Sequence, residues 1–412
     1  MISSKSNFQN TYDHDQLKHI LDASQIAWNP LNFKALKHTL RKGLYEVYFL
    51  MVTLPQTREA FWIRYTLLIP RQLVPRFVNS LNFPPSSTEL PAMLQNYSGA
   101  GMLWFAFFSA RDPSVNFAVK QPYALDAITS ELWMLTSRGL PKSPEQLLFP
   151  ITVIRLGNST LWPNGASGSI DLTQNNCQTQ ISQLQWDLTF AGYHEPYAHV
   201  PNLARRLGLV TTIPVTIHPA IFVNGQVTFN DGEKVFSIEN AAGTLTHIIG
   251  RNYAKTWAWA HCNAFEGAPG AFFELSCLGG LATFGIFDGT THYYFNRVQD
   301  ITKVKCHASF TAVDVRVVGR YSRVEGKIWV PPEFLLGVEY FGPAGEQMYC
   351  YNSEIASSEF KIFKIDRATR EESLVQVLVS ECTTAFETTH FKPLSDIPNL
   401  IRWEDSQTKP CV

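Results

Sequence analysis

Nine consecutive residues, 257–265, carry the side chains of this sequence that are best suited to chemistry. They read Trp-Ala-Trp-Ala-His-Cys-Asn-Ala-Phe, so large or polar residues alternate with small ones. Because successive side chains of a β-strand point to opposite faces, one face is predicted to carry Trp257, Trp259, His261, Asn263 and Phe265. Aromatic walls with a few polar groups are typical of a pocket that orients an apolar ligand. The alternative is a core strand whose polar atoms bond to neighbouring backbone.

The common motifs for binding a nucleotide or a zinc ion, or for presenting a catalytic serine, do not occur in the sequence. There is no GxGxxG, GxxxxGK, HExxH or GxSxG pattern and no CxxC pair. His194 and His199 are five residues apart in a proline-flanked stretch, a spacing that suits no standard metal site. We therefore expect chemistry that needs no organic cofactor and no metal.

Composition favours a globular β protein with a small or apolar partner. Of the 412 residues, 45% are hydrophobic, 13% are aromatic and only 17% are charged. A formal net charge of −1 provides no whole-chain attraction for nucleic acid or for an anionic membrane. No apolar run is long enough for a transmembrane helix, although peripheral contact with a membrane is left open. The sequence does not indicate an oligomeric state.

The cysteines and the first residues predict a cytoplasmic protein. An odd total of seven cysteines without a dense framework favours reduced thiols. The first ten residues are polar and lack the apolar segment of a secretory signal.

Strand patterns recur along most of the chain, separated by Gly, Pro, Asn and Asp. Many short strands at this spacing predict a mainly antiparallel β fold, either a sandwich or a barrel. Helix patterns are confined to residues 13–27, 124–138 and 203–209. Prolines punctuate residues 195–219, which places the predicted domain boundary there and divides the chain into residues 1–205, with a helical N-terminal extension, and 206–412.

The sequence on either side of Pro55 predicts a β-hairpin. A turn centred on that proline would place Tyr48 opposite Trp62 and Glu46 opposite Arg64. An ion pair beside an aromatic pair would fix the register of the hairpin. This pattern favours a structural role for both charged residues over a catalytic one.

Several segments resemble the tocopherol cyclase-like proteins, a group that is also similar to carotenoid 1,2-hydratases and to certain lipocalin-like pericyclases. The central resemblance lies in Pro-Ala-Ile-Phe-Val-Asn-Gly-Gln-Val at 219–227, Gly-Thr-Leu-Thr-His at 243–247, Gly-Arg-Asn-Tyr at 250–253 and the segment 257–267. Outer segments at 45–49, 60–66, 185–190, 350–365 and 383–387 resemble the group's other strands. The likeness spans about residues 43 to 390.

The resemblance implies two packed lipocalin-like β domains, few helices and an apolar pocket at or near their junction, without an organic cofactor. It implies His261 as general acid or base, Asn263 as a group that orients a carbonyl or phenol, and Glu266 as a second acid. Trp257 and Trp259 would stack against cationic charge. The remaining substrate-binding candidates are Tyr253, His247, Lys255, Trp62 and Trp104.

These observations predict a cyclase or isomerase that acts on a lipophilic, unsaturated small molecule such as a prenylated phenol, a polyene or a polyketide, as in natural product biosynthesis. A hydratase of an isoprenoid double bond remains an alternative. So does a lipocalin-type carrier, which would use the same pocket without an ionisable side chain inside it. A structural β protein without a pocket is the third alternative.

Overall fold

A computed structural model of the chain describes residues 43–69, 101–123, 128–129, 154–162, 164–172, 181–192, 194–201, 203–204, 210–278, 281–343, 347–390, 392–394 and 397. The predicted helix at residues 13–27 lies outside these ranges. Of the other two predicted helices, only residues 128–129, which form a strand, and residues 203–204, which are helical, are described. No helix in these ranges has the length and apolarity needed to cross a bilayer.

The first half of the chain forms an antiparallel sheet of 12 strands. The strands are β1 Leu44–Leu54, β2 Glu59–Ile69, β3 Gly101–Ser109, β4 Phe117–Tyr123, β5 Ile128–Thr129, β6 Ile154–Leu156, β7 Ser159–Trp162, β8 Gly165–Asp171, β9 Gln183–Gly192, β10 Tyr197–Ala198, β11 Thr212–Phe229 and β12 Lys234–Gly250. Their order across the sheet is β4-β3-β2-β1-β12-β11-β9-β8-β7-β6-β5, and β10 pairs with β11. Short 3-10 helices occupy Pro113–Val115 and Asn230–Gly232.

The second half forms a separate antiparallel sheet of 10 strands. The strands are β13 Trp257–Cys262, β14 Phe272–Leu278, β15 Leu281–Phe287, β16 His292–Phe295, β17 Val304–Ala308, β18 Ala312–Val318, β19 Ser322–Trp329, β20 Leu336–Phe341, β21 Gln347–Ile365 and β22 Glu372–His390. Their order is β16-β15-β14-β13-β22-β21-β19-β18-β17, and β20 pairs with β21. Short 3-10 helices occupy Val298–Lys303 and Pro332–Phe334. The predicted mainly antiparallel β fold is confirmed.

Each sheet curls around a hydrophobic core of its own. In the first sheet, the rings of Phe105 on β3 and Trp186 on β9 lie 5.9 Å apart, although four strands separate them in the sheet order. In the second sheet, Phe273 on β14 and Phe360 on β21 lie 4.5 Å apart across the same kind of curl. Burial of such aromatic side chains is the main favourable contribution to folding.

A third hydrophobic cluster fills the space between the two sheets. This packing explains why strands of the first sheet differ in their pattern of buried and exposed residues. On β9, apolar residues alternate with exposed polar ones because one face meets the core and the other meets solvent. On β3, Gly101–Ser109, every residue is buried because one face meets the core and the other faces the second sheet. A continuous apolar run therefore marks a strand that lies between two packed layers.

The predicted register of the first hairpin is wrong. Its turn spans residues 55–58, which shifts the pairing so that Tyr48 lies opposite Tyr65 and Arg64 lies opposite Phe49. Glu46 and Arg64 therefore do not face each other. Because side chains alternate along a strand, the shift also sends Glu46 and Arg64 to opposite faces of the sheet.

Several strands are much longer than the sequence pattern predicts. In the sequence, residues 215–217 and 225–229 carry two separate strand patterns, yet both belong to β11, which continues through Pro219. Shifts in the pairing with β12 between Thr216 and Gly225 accommodate the irregular residues. Such bulges bend a strand without ending it, so a proline does not mark a boundary here.

The chain passes from the first sheet to the second between Gly250 and Trp257. The boundary at residues 205/206 remains a prediction about folding units, but β11 and β12 lie beyond it in sequence and pair with strands that precede it. We propose that the passage at residues 251–256 is the better candidate boundary, because a division at 205/206 would separate hydrogen-bonded strands.

Two of the cysteines form a disulfide, so the prediction of reduced thiols is wrong for this pair. Cys277 on β14 is bonded to Cys306 on β17. The bond joins strands that are not neighbours in the sheet order. Disulfides are typical of oxidising compartments, and the cytoplasmic location remains a prediction.

Candidate active site

The two faces of β13 meet different parts of the molecule, as the alternation predicts. Its small residues Ala258, Ala260 and Cys262 pack in the core of the second sheet. Trp257 and Trp259 lie on the opposite face and pack in the cluster between the sheets. Phe265 departs from the pattern. Because β13 ends at Cys262, its ring packs in the second core, 6.1 Å from Phe273.

A buried cation faces this strand from the first sheet. Arg64 on β2 is only 5% exposed, and its guanidinium carbon lies 4.1 Å from the centre of the Tyr340 ring on β20. Its Nε donates a hydrogen bond to Thr66 Oγ1 at 3.2 Å. No carboxylate in the described part of the chain forms an ion pair with this guanidinium. The charge is held instead by the face of an aromatic ring.

A carboxylic acid lies beside the two tryptophans. Glu387 on β22 pairs with Trp259 across the strands and accepts a hydrogen bond from Trp257 Nε1. Desolvation by the surrounding protein raises the pKa of the Glu387 carboxyl above its ordinary value, and the charge of Arg64 opposes part of that rise. Burial makes this carboxyl group a weaker acid, whereas Arg64 and the hydrogen bond from Trp257 favour its ionised form.

A stack of aromatic rings connects these groups. Tyr253 lies between Trp257 and Tyr340, with ring centres 5.8 Å and 6.0 Å away. Trp259 meets Phe49 of the first sheet edge to face at 5.4 Å. We define the inter-sheet site as Arg64, Tyr253, Trp257, Trp259, Tyr340 and Glu387.

Part of the inter-sheet site is accessible. Tyr253, Trp257, Trp259 and Glu387 are all only partly buried. These four residues thus retain some solvent exposure, whereas Arg64 is almost completely buried. This arrangement is typical of a ligand site, in which an apolar wall surrounds a small number of polar groups.

Trp62 and Trp104, two of the predicted substrate-binding residues, pack beside Arg64 and Tyr340 of the inter-sheet site. The Trp62 ring centre lies 5.7 Å from the Arg64 guanidinium, and Trp104 meets Tyr340 edge to face at 5.9 Å. Both indoles are almost completely buried. They can therefore position the arginine and the tyrosine more readily than touch a ligand directly.

His261 lies deeper along β13, in a buried cluster that joins the two sheets. Its Nδ1 is 2.9 Å from Glu274 Oε1 on β14, and Glu274 Oε2 is 3.4 Å from His199 Nε2. His199 Nε2 also lies 3.0 Å from Thr216 Oγ1 on β11 of the first sheet. All three ionisable side chains are fully buried, and burial lowers the pKa of His199. Among the residues that the structure describes, none is hydrogen-bonded to His261 Nε2.

Asn263 bonds to backbone of the first sheet. Its Nδ2 donates to the carbonyl of Gly243 and, at 3.4 Å, to that of Pro219. The carboxamide therefore holds the strand against the first sheet.

The structure does not bring the other three predicted residues to the inter-sheet site. His247 faces the core of the first sheet, where its Nε2 lies 3.0 Å from Glu46 and its ring stacks on Tyr48 at 4.2 Å. Lys255 and Glu266 are exposed on loops at either end of β13.

Sequence reasoning missed Arg64, Tyr340 and Glu387 as residues of the inter-sheet site, and Glu354 and Glu274 as buried acids. The signal available was a charged residue within an otherwise apolar strand, as in Phe-Trp-Ile-Arg-Tyr around Arg64. Such a residue is buried only where something compensates the loss of water. Glu354 on β21 illustrates the cost, because burial raises its pKa well above the ordinary value and its Oε2 has no partner.

A separate groove of about 700 Å³ lies on the outer face of the second sheet, across β17, β18, β19 and β21. Its walls carry alternating charges, two pairs of which, Arg316 with Glu325 and Lys361 with Glu359, bond across or along the strands. This pattern is typical of a solvated sheet face, so the chemistry is better sought between the sheets. In the ranges that the structure covers, no group of three or more His, Cys, Asp or Glu side chains is arranged to hold a metal ion.

Comparison with known proteins adds weak similarities only. No family model and no curated protein matches the chain. Among solved structures, an AttH protein from Nitrosomonas europaea is 11% identical with a TM-score of 0.42, over 85% of this chain and 92% of that one. CghA is 6% identical with a TM-score of 0.42, over 84% of this chain and 88% of that one, and its complex with Sch210972 matches at 7%. Similarities of this size carry no argument about function, which has to rest on the site itself.

Proposed function

We propose that the protein is a cofactor-independent cyclase or isomerase that acts on a lipophilic, unsaturated small molecule at the inter-sheet site. One observation carries the proposal. A partly accessible carboxyl group with a raised pKa, that of Glu387, lies among aromatic rings beside a buried guanidinium. A neutral carboxylic acid in an apolar setting is suited to donate a proton, and aromatic faces stabilise the positive charge that results.

In the proposed reaction, the proton of Glu387 moves to a carbon of the substrate's double bond, which leaves a carbocation and a carboxylate. Trp257 and Trp259 stabilise the cation with their faces. A hydroxyl group or second double bond of the same molecule attacks the cation and closes a ring. The proton released by that step returns to Glu387, so substrate and product have the same mass and the acid is regenerated.

The neighbouring residues support this chemistry in different ways. Tyr253 and Tyr340 complete the aromatic wall that folds the chain into a reactive conformation. His261 remains a second candidate for acid–base catalysis, because Glu274 occupies its Nδ1 and its Nε2 is free. Its complete burial requires the substrate or a movement of the strand to reach it. We assign Asn263 to holding the strand in place rather than to binding a carbonyl.

A hydratase and a carrier are the two other functions that this site would suit. A hydratase would use the same acid and admit water to the cation. A carrier would bind the same molecule and leave it unchanged. The raised pKa of Glu387 favours an enzyme, because a carrier gains nothing from a buried acid that costs free energy to desolvate.

The test is to extract the molecule that co-purifies with the protein from its own host and to return it to fresh protein. A product of unchanged mass and altered retention supports a cyclase or isomerase. A gain of one water indicates a hydratase, and an unaltered ligand indicates a carrier. Glu387→Gln should bind the molecule without converting it, whereas Glu381→Gln, an exposed change on the same strand, should convert it normally.

A further inference from the structure

The charge of Arg64 lacks a counterion in the described part of the chain. Its Nε is bonded to Thr66, but neither Nη1 nor Nη2 donates a hydrogen bond there. A guanidinium always carries its charge and offers five donors. Burying such a group without an acceptor is unfavourable, and among the described residues no acceptor is hydrogen-bonded to Nη1 or Nη2.

The nearest acids do not fill that role. Glu387 is close enough for its pKa to respond to Arg64 but forms no ion pair with it. Glu354 is buried on β21, and both carboxyl groups have raised pKa values. Burial disfavours the charged form of both carboxyl groups. A second buried cation, Lys120, has its Nζ 5.4 Å from the ring of Trp104 in the same region.

The geometry defines the kind of anion that would fit. The guanidinium carbon lies over the Tyr340 ring at 4.1 Å and Nε is bonded to Thr66, so Nη1 and Nη2 are the donors that remain for a ligand. Two parallel N–H groups at the edge of a guanidinium match a planar anion with two oxygens, of which a carboxylate is the simplest. The aromatic rings next to it suit an apolar chain attached to that group.

We propose that the inter-sheet site takes an anionic substrate, a lipophilic unsaturated molecule whose carboxylate is bound by Nη1 and Nη2 of Arg64. This inference rests on the proposed function and adds a substrate class to it. The carboxylate fixes one end of the molecule, and the double bonds extend along Tyr253, Trp257 and Trp259 to the acid Glu387.

The probes are cis-parinaric acid, a fluorescent conjugated polyene acid, and its methyl ester. Both have the same apolar chain, but only the acid carries the anion. The full-length wild-type protein should bind the acid about tenfold or more tightly than the ester, as expected for a charge-assisted, two-oxygen contact. Equal affinities, a preference for the ester, or binding of neither compound would overturn the proposal. This comparison needs no variant and so does not depend on how a variant folds.

Variants then test whether Arg64 is the residue that causes the preference for the acid over the ester. Arg64→Met should bind the acid no more tightly than the ester. Arg64→Lys keeps a charge without the planar fork and should retain part of the preference. Arg58→Met, the same change at an exposed ion pair with Glu381, should bind like the wild type. An acid preference that survives in Arg64→Met would overturn the assignment to Arg64.

This proposal and the proposed function can fail separately. If the co-purified molecule is neutral and Glu387→Gln abolishes its conversion, the catalytic proposal stands and the anionic substrate is excluded. If the protein prefers the acid but converts nothing, the anion site stands and a carrier replaces the enzyme.

Discussion

The guanidinium carbon of Arg64 lies 4.1 Å from the centre of the Tyr340 ring, so a cation of the first sheet rests on an aromatic face of the second. Both residues are almost completely buried. A cation–π contact of this kind is worth about 2 kcal/mol when it is desolvated. It joins the two sheets at the point where the proposed substrate would bind.

The ring of Tyr340, rather than its hydroxyl group, is expected to stabilise this contact between the sheets. The hydroxyl is buried without a hydrogen-bond partner, so Tyr340→Phe should leave the free energy of unfolding unchanged or raise it slightly. Tyr340→Leu removes the aromatic face and should lower it by about 2 kcal/mol or more. Denaturant unfolding of both variants checks this. Equal losses in the two variants would show that the hydroxyl matters and the cation–π contact does not.

Glu354 should make the protein less stable as the pH rises. Its pKa in the folded protein is raised well above the ordinary value of 4.5 by burial and by Glu387. At pH values between these two pKa values, the folded state holds a proton on Glu354 that the unfolded chain has lost. The contribution of this proton to stability is fully present below about pH 4.5 and is lost as the pH rises through the folded pKa. Relative to wild type, Glu354→Gln should therefore gain thermal stability between pH 5 and pH 8. A constant difference across that range, as expected for Glu381→Gln at the surface, would contradict the assignment.

His199 should have the opposite pH response. Burial lowers the pKa of His199 below its ordinary 6.5, so the unfolded chain binds a proton first as the pH falls. The contribution of neutral His199 to stability is therefore present above about pH 6.5 and is lost as the pH falls below that value. His199→Gln should lose less thermal stability than wild type between pH 7 and pH 5, whereas the exposed change His390→Gln should follow the wild type. A His199→Gln profile that parallels the wild type would exclude His199 as the titrating group.

The disulfide should stabilise the second sheet by cross-linking strands that are not hydrogen-bonded to each other. Cys277 and Cys306 are separated by 29 residues in sequence. For a loop of that length, loop closure in the unfolded chain corresponds to about 3.6 kcal/mol. Cys306→Ser should lose about that much free energy of unfolding, and a reducing agent should destabilise the wild type but not the variant. Cys382→Ser, at a half-buried free thiol, serves as the control. Insensitivity of the wild type to reduction would contradict the prediction.

The mainly β fold and the two faces of β13 could be predicted from sequence because both depend on local periodicity. The alternation at Trp257, Trp259 and His261 needs only the period of a strand. It fails at Phe265, where the strand has already ended at Cys262. The local pattern does not report that end, because Asn263 and Ala264 continue the alternation in sequence.

The contacts between the sheets could not be predicted, because they join residues that are far apart in the chain. Arg64 was paired with Glu46 in the predicted hairpin, and a different turn moved the two residues to opposite faces. Only the packing of β20 against β2 shows that Tyr340 is the partner of Arg64. Glu387 likewise gains its role from its position beside Trp257, not from its neighbours in sequence.

If the acid of Glu387 performs chemistry between the sheets, the conversion rate of the co-purified molecule should depend on pH. We expect the wild-type rate to be steady at low pH and to fall as the pH rises through the raised pKa of Glu387. We also expect a loss of about 100-fold or more in Glu387→Gln and a wild-type rate in Glu381→Gln. A Glu387→Gln variant that converts the molecule at the wild-type rate, with the wild-type pH dependence, would contradict the account.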